Sequence, residues 1–151
     1  MEQKISMEQK ADILLVEDNP SDAEMTIRAL RKSLLINPLL HLQNGEEALN
    51  YLFAEGEYKG RNIDDLPKVI LLDLKMPKID GLEVLKKIKS DSRTNSIPVV
   101  ILTSSKEEKD ILDGYKFGVN SYIVKPVEFE NFVKAIKEIG LYWLLLNQPP
   151  K

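Results

Sequence analysis

The sequence contains no cysteine and only one histidine, His41, among its 151 residues. The lack of cysteine excludes disulfides, thiolate nucleophiles and zinc–thiolate sites. A single histidine also excludes a metal centre built from several histidines. Any metal site or reactive group in this chain must therefore use oxygen ligands and lysine.

Long hydrophobic runs and clusters of positive charge are missing as well. No apolar run approaches the roughly 20 residues that a membrane-spanning helix needs, and no charged and apolar leader opens the chain. The 21 basic and 24 acidic residues give a net charge of −3 and a pI near 5.3 without a basic run. These features argue against nucleic-acid or membrane binding, and we expect a single cytoplasmic domain.

Short apolar runs alternate with amphipathic stretches of helix length from residue 12 onward. Strands are predicted at residues 13–16, 39–42, 69–72, 99–102 and 122–124. Helices are predicted from apolar spacing after each strand, on Ala23, Ile27, Leu30 and Leu34; on Ala48, Leu49 and Leu52; on Val84, Leu85 and Ile88; over residues 106–117; and on Phe129, Phe132, Val133, Ile136 and Ile139. Strands without polar alternation are typical of a parallel sheet covered on both faces. The pattern predicts an α/β, flavodoxin-like doubly wound (βα)5 fold.

The chain divides into a domain and two short tails. Residues 1–11 are predicted as an N-terminal tail, residues 12–146 as the domain and residues 147–151 as a C-terminal tail. The connection at residues 53–67, before the third strand, carries glycines, charges and a proline. It is longer than such loops usually are, and we expect a solvated insertion. A contact loop for a particular partner is the alternative.

Polar residues stand at the ends of the predicted strands. Glu17 and Asp18 follow the first strand, Asp73 the third, Thr103 the fourth and Lys125 the fifth. Because parallel strands direct their carboxyl ends to one edge of the sheet, we expect these side chains to converge. In the strand order 2-1-3-4-5, ligands bind between strands one and three, where the three carboxylates fall. One carboxylate alone could be an ordinary loop residue, but five polar residues at one edge indicate a site.

The residue types at this edge suggest their chemistry. Three clustered carboxylates raise one another's pKa unless a cation lies among them. Oxygen ligands without histidine or cysteine favour Mg²⁺. A carboxylate beside Mg²⁺, facing a lysine ammonium and a threonine hydroxyl, is arranged to accept a phosphoryl group, because these groups stabilise charge on the transferring oxygens.

Four segments carry a resemblance to a known family. They are ILLVEDNP at residues 13–20, VILLDLKMPKIDGLEVL at 69–85, VVILTSS at 99–105 and SYIVKP at 121–126. In this order and spacing they resemble the signature blocks of bacterial two-component response-regulator receiver domains, and the similarity runs from Asp12 to about Ile139. The insertion and the aromatic C-terminal end are most similar to small stand-alone receivers paired with cyanobacterial phytochromes.

The resemblance implies that Asp73 is the phosphoacceptor for the phosphohistidine of a sensor kinase. It also implies that Mg²⁺, or Mn²⁺ in its place, is held by Glu17, Asp18, Asp73 and the main-chain carbonyl of Lys75. The pair Glu17-Asp18 replaces the commoner Asp-Asp and lengthens one arm toward the metal. The side chain of Lys75 places a second cation at the rim, where it could steady the phosphate or obstruct attacking water.

The remaining family positions concern the response to phosphorylation. Lys125 matches the family's lysine, with a cis bond expected between Lys125 and Pro126. Thr103 and Tyr122 match the switch pair, although plain strand packing of Tyr122 stays open. His41 lies in an apolar strand, which favours a packed core residue over a phosphorelay histidine.

The resemblance implies a single-domain response regulator that catalyses its own phosphorylation and dephosphorylation and has no separate output enzyme. Its expected partners are a sensor or hybrid histidine kinase and a downstream phosphotransfer or effector protein. A pseudo-receiver acting only as a protein-interaction module is the alternative, which the complete polar set argues against. A haloacid-dehalogenase-type phosphatase needs a second aspartate where Lys75 stands. A flavin carrier needs a Ser/Thr/Gly-rich loop after the first strand, where residues 17–20 are anionic.

The C-terminal segment at residues 141–146, LYWLLL, is apolar on every side of a helix. Trp143 continues the inward stripe of the last helix, whereas Leu145 and Leu146 face elsewhere. Exposed leucines are a cost that a partner surface removes. We expect a two-fold homodimer through the last helix and this segment, with a tail that folds back on its own domain as the alternative.

Overall fold

The computed structural model describes residues 11–32, 37–74, 76, 79–104 and 121–140. The five predicted strands are present as β1 Ile13–Val16, β2 Leu39–Leu42, β3 Val69–Asp73, β4 Val99–Thr103 and β5 Ser121–Val124. All neighbours pair in parallel, in the order β2-β1-β3-β4-β5. The predicted flavodoxin-like doubly wound α/β fold is therefore confirmed. The helix expected at residues 106–117 and the segment at 141–146 lie outside the described residues.

Four helices are described: α1 Pro20–Lys32, α2 Gly45–Leu52, α3 Gly81–Ser90 and α4 Phe129–Glu138. Each of the first three begins at a side chain that accepts a backbone N–H of the first turn, and such caps stabilise a helix start. The caps are Asn19 for α1, Asn44 for α2 and Asp80 for α3. Among the described helices, none has the length and apolarity needed to cross a membrane.

The sheet separates two hydrophobic cores. One face packs against α2 and α3, through buried residues that include Leu14, Leu72 and Leu85. The other face packs against α1 and α4, through residues that include Leu71 and Phe132. Successive strand residues point to opposite faces, so the continuous apolar runs fill both cores. This accounts for the absence of polar alternation in the strands.

Several predicted details needed correction. Asp73 and Thr103 are the last residues of β3 and β4 rather than the first residues of loops, because strand pairing continues one step further. On α1, Thr26 is buried, whereas Ile27 is only half-buried. Phe129 was expected on the inward stripe of α4 but is 41% exposed.

The connection at residues 53–67 is anchored by buried side chains. Arg61 is only 7% exposed, and its guanidinium carbon lies 4.1 Å from the centroid of the Tyr51 ring. Its Nη2 donates to the carbonyl of Asp65 at 2.6 Å. Tyr58 packs edge-on against Tyr51, with the ring centroids 5.2 Å apart. The insertion is therefore solvated at its surface, as expected, while the contacts of Arg61 and Tyr58 with Tyr51 fix its base.

Candidate functional site

The carboxyl end of β1 places Glu17 inside the protein and Asp18 at its surface. Glu17 is fully buried, and its Oε2 accepts the backbone N–H of Asn19 at 3.1 Å. The Glu17 backbone N–H donates to the carbonyl of Leu42 at 3.0 Å, extending the pairing of β1 with β2. His41 is half-buried, and its Nε2 lies 2.8 Å from the Glu17 carbonyl oxygen. It thus supports the backbone of Glu17 from the edge strand and is not buried in the core.

The carboxyl end of β3 presents Asp73, which is only 5% exposed. The strand bearing it lies in the middle of the sheet, between β1 and β4. Helix α3 begins close beside it: a Cβ on Gly81 would collide with the Asp73 carbonyl oxygen and the Leu74 backbone. Glycine is therefore required at this close approach. Asp73 is thus held between β1 and β4 on either side and by the start of α3.

The carboxyl end of β5 brings Lys125 into the same site. The Lys125–Pro126 peptide bond is cis, as expected. The Lys125 backbone N–H donates to the carbonyl of Thr103 at 2.8 Å. The ammonium Nζ lies 2.8 Å from Glu17 Oε1 and 3.0 Å from Asp73 Oδ1. Three strands distant in sequence thus deliver three charged groups to one point.

One member of this network, Asp22, was missed by the sequence reasoning. Its Oδ2 lies 3.1 Å from Lys125 Nζ, and its side chain is 40% exposed. Asp22 stands in the first turn of α1, where a carboxylate is common because it favours the helix N-terminus. Its nearness to the predicted edge of the sheet was the available signal, but nothing in the sequence shows which way the side chain turns.

The charges in the site shift two pKa values. Burial raises the pKa of Asp73 to about 7, and the negative charge of Glu17 adds to the rise, while the hydrogen bond from Lys125 opposes it. Burial would lower the pKa of Lys125, but hydrogen bonds to Glu17 and Asp73 outweigh it and hold the pKa above its usual range. The lysine therefore stays charged, and it neutralises part of a carboxylate excess.

The carboxylates have the arrangement of a cation site. Ligand oxygens of Glu17, Asp18 and Asp73 lie within 4.8 Å of one another. Two of the three residues are buried and one is exposed, so a cation could keep water ligands on the open side. Hard oxygen ligands with retained water suit Mg²⁺ or Mn²⁺. The donor set thus fits the predicted ion, while Lys75, whose carbonyl was expected as a further ligand, lies outside the described residues.

The expected switch pair lies on the neighbouring strands. Thr103 ends β4 one position beyond Leu102, the residue paired with Asp73, and is fully buried. Tyr122 on β5 is half-buried and packs against the core on the α2–α3 side. Thr103 therefore lies on the strand next to that of Asp73, whereas Tyr122 lies two strands away. The packing of Tyr122 is compatible with either a switch or a structural role.

A family profile matches most of the chain. The profile of the response regulator receiver domain matches residues 13–137, which confirms the resemblance inferred from the four sequence blocks. Receiver domains are signalling modules that are generally not enzymes; histidine kinases phosphorylate them, and they bind Mg²⁺ or Mn²⁺ at an acidic pocket.

Similar proteins cover almost the whole chain. The probable methanogenesis regulatory protein FilR2 of Methanothrix harundinacea is 43% identical over 138 residues, covering 91% of this chain and 86% of FilR2. The structure of the bacteriophytochrome response regulator RtBRR is 50% identical, with a TM-score of 0.86, covering 94% of this chain and 85% of RtBRR. A Mn²⁺-bound structure of response regulator Rcp1 is 35% identical, with a TM-score of 0.70, covering 94% of this chain and 98% of Rcp1. Rcp1 is a protein of Synechocystis. The expected likeness to phytochrome-associated regulators is thus confirmed.

Proposed function

This chain belongs to the response regulator receiver domain family, and on that premise we propose that it is a phosphorylated signalling switch with Asp73 as acceptor. One observation carries the proposal. The Lys125 ammonium bridges the buried carboxylates of Asp73 and Glu17, which cluster with Asp18 at the carboxyl edge of the sheet. A buried carboxylate with a charged lysine and a cation site beside it is equipped to stabilise a transferring phosphoryl group.

In the proposed reaction, a carboxylate oxygen of Asp73 attacks the phosphorus of a kinase phosphohistidine. The new P–O bond forms as the P–N bond breaks, and the leaving imidazole nitrogen takes a proton from solvent. Lys125, already 3.0 Å from Asp73, donates a hydrogen bond to the phosphoryl oxygens. Thr103 offers a hydroxyl from the end of β4.

The proposed metal ligands are Glu17, Asp18, Asp73 and the main-chain carbonyl of Lys75. A bound Mg²⁺ or Mn²⁺ would supply charge neutralisation at the phosphoryl oxygens. The chain's own part is to hold the carboxylates in a fixed orientation. Glu17 is fixed by the N–H of Asn19, and its backbone carbonyl is held by His41.

Phosphate incorporation from acetyl phosphate tests this function. In the presence of Mg²⁺, we expect the wild-type protein to gain one phosphate, stable to acid and released by base, and Asp73→Asn to gain none. Glu24→Gln, which removes an exposed carboxylate of α1, should behave as wild type. Asp18→Asn should raise the Mg²⁺ concentration needed. Equal incorporation in Asp73→Asn and wild type would refute the acceptor assignment, and no incorporation in wild type would favour the pseudo-receiver.

The proposed consequence of phosphorylation is a change around Thr103 and Tyr122. The phosphoryl group would draw the Thr103 hydroxyl toward it and let Tyr122 turn inward, favouring one of two pre-existing states. Amide exchange with and without beryllofluoride should then change over residues 106–117, along β5 and along α4. Changes confined to the loops after β1 and β3 would show that Tyr122 only packs.

The proposed partners are a sensor or hybrid histidine kinase and a downstream phosphotransfer or effector protein. Output would be a protein–protein contact or onward transfer of phosphate, and we place the protein in the cytoplasm. A homodimer through α4 and residues 141–146 is also proposed. Sedimentation of wild type against Leu145→Glu/Leu146→Glu tests it, and a wild type that stays monomeric at micromolar concentration, phosphorylated or not, would refute it.

A further inference from the structure

The ammonium of Lys125 meets three carboxylates within the described residues. A lysine ammonium has three N–H donors, and Nζ lies 2.8 Å from Glu17, 3.0 Å from Asp73 and 3.1 Å from Asp22. The contact with Asp22 has the geometry of a hydrogen bond, whereas the contacts with Glu17 and Asp73 are close ion pairs. The ammonium thus lies among three carboxylates, and the directed contact among them is the one to Asp22.

The three carboxylates differ in what else they must do. Glu17 and Asp73 belong to the group of carboxylates that could hold a metal ion, whereas Asp22 does not. Asp73 is also the proposed acceptor, so its carboxylate changes chemically when phosphate arrives. Only Asp22 keeps the same contact throughout. It stands on a fixed backbone, because its N–H donates to the Asn19 side chain at 3.0 Å in the first turn of α1.

We propose that Asp22 is a positioning residue for phosphoryl transfer, which holds the Lys125 ammonium through a contact that neither the metal nor the phosphoryl group replaces. This inference rests on the proposed function of the site. With one N–H donated to Asp22, the ammonium stays within ion-pair distance of Asp73, where the phosphoryl group would be attached. The contact joins α1 to the end of β5 across 103 residues of sequence.

A second effect of Asp22 has the opposite sign. Its negative charge repels a phosphoryl anion through space, so its removal would favour anion binding on charge alone. Salt separates the two effects, since the Debye length falls to about 3 Å at 1 M ionic strength and screens through-space repulsion more than direct contact. A comparison at high salt therefore isolates the positioning effect.

The ammonium signal of Lys125 gives the first test, and it involves no phosphate. In ¹H–¹⁵N spectra of the lysine ammonium groups, Lys125→Arg assigns the signal, and wild type should show slow proton exchange. Asp22→Ala should accelerate that exchange at least threefold, and Asp22→Glu, which keeps the carboxylate, should restore it. Glu24→Ala is the matched control on the same helix, because Glu24 pairs with Arg28 at 3.0 Å in an exposed contact. Unchanged exchange in Asp22→Ala would overturn the proposal.

Affinity for beryllofluoride with Mg²⁺ gives the second test. At 1 M salt, we expect Asp22→Ala to bind about two- to fivefold more weakly than wild type, the range typical of a partly exposed ion pair. Asp22→Glu should bind within twofold of wild type, and Glu24→Ala should be unchanged. Asp22→Asn, which keeps the shape and an acceptor oxygen, should lie between wild type and Asp22→Ala and guards against a folding defect.

The outcomes of these tests distinguish a failure of the proposed function from a failure of the positioning role of Asp22. If wild type gains no phosphate on Asp73 while the ammonium signal still depends on Asp22, the proposed function fails and the contact between Asp22 and Lys125 stands. If phosphate is gained but Asp22→Ala binds beryllofluoride as tightly as wild type at 1 M salt, the positioning role is wrong and the proposed function stands.

Discussion

Replacing Asp73 by asparagine should stabilise the metal-free protein at neutral and alkaline pH. The carboxylate is buried at 5% exposure, beside the negative charge of Glu17. These surroundings raise the pKa of Asp73 from 3.8 to about 7. At about 1.4 kcal/mol per pKa unit, ionising this group in the folded state costs at most about 4 kcal/mol more than in the unfolded chain. Asparagine resembles the neutral acid and avoids that cost.

The pH dependence has a definite sign. Between pH 3.8 and about 7 the folded protein binds the Asp73 proton and the unfolded chain releases it, so the stability of wild type falls as pH rises through this window. The advantage of Asp73→Asn should therefore be small near pH 4 and reach its full value at pH 8. For a domain of this length, 4 kcal/mol corresponds to roughly 8–16 °C in the melting temperature.

Urea denaturation in EDTA, followed by circular dichroism at pH 4, 6 and 8, measures this difference. Asp91→Asn is a suitable control, because hydrogen bonds from Arg93 lower the pKa of Asp91 to about 2; losing this ionised carboxylate should not stabilise the protein. A few millimolar Mg²⁺ should stabilise wild type, since a ligand of the folded state raises its stability, and should stabilise Asp73→Asn less. An Asp73→Asn protein no more stable than wild type at pH 8, or one whose advantage is the same at pH 4, would refute the reasoning.

Two further substitutions test how the site and the insertion are held. Gly81→Ala would force a Cβ against the backbone at the end of β3, so it should destabilise the protein by about 1–3 kcal/mol and slow phosphorylation, as measured by urea denaturation and intact-mass spectrometry. Arg61→Lys removes the planar guanidinium that stacks on Tyr51 and donates a hydrogen bond to the carbonyl of Asp65. This substitution should lower the free energy of unfolding by about 1–2 kcal/mol and speed proteolysis within residues 53–67. The exposed Lys59→Ala should change neither quantity, and a protease-resistant Arg61→Lys loop would contradict the anchoring role.

The strands could be predicted because their physical cause is local, and the convergence of their polar ends followed from the strand order. Each strand is a short apolar run filling both cores, so the position of the run located the strand to within a residue at each end. Parallel pairing then placed the strand ends together, and Glu17, Asp73 and Lys125 followed from topology.

Features that depend on three-dimensional packing were harder to predict. Thr26 is buried although Ile27 fits the apolar spacing better, because the contact surface on the sheet decides which side of α1 is covered. Phe129, in the first turn of α4, is 41% exposed although it fits the apolar spacing. The contact between Asp22 and Lys125 joins residues 103 positions apart, and no spacing rule predicts such a pair.

The sheet also keeps its two hydrophobic cores apart. Leu71 and Leu72 are neighbours in β3, yet Leu71 belongs to the α1–α4 core and Leu72 to the α2–α3 core. Cavities opened at these two positions would lie on opposite sides of the β3 backbone and in different cores. Tyr51 and Tyr58, which form the base of the insertion, belong to the α2–α3 core alone. Substitutions at the base of the insertion should therefore leave the packing of the α1–α4 core unchanged. Helix α1, which packs in that core, carries Asp22, the residue whose carboxylate holds Lys125 in place.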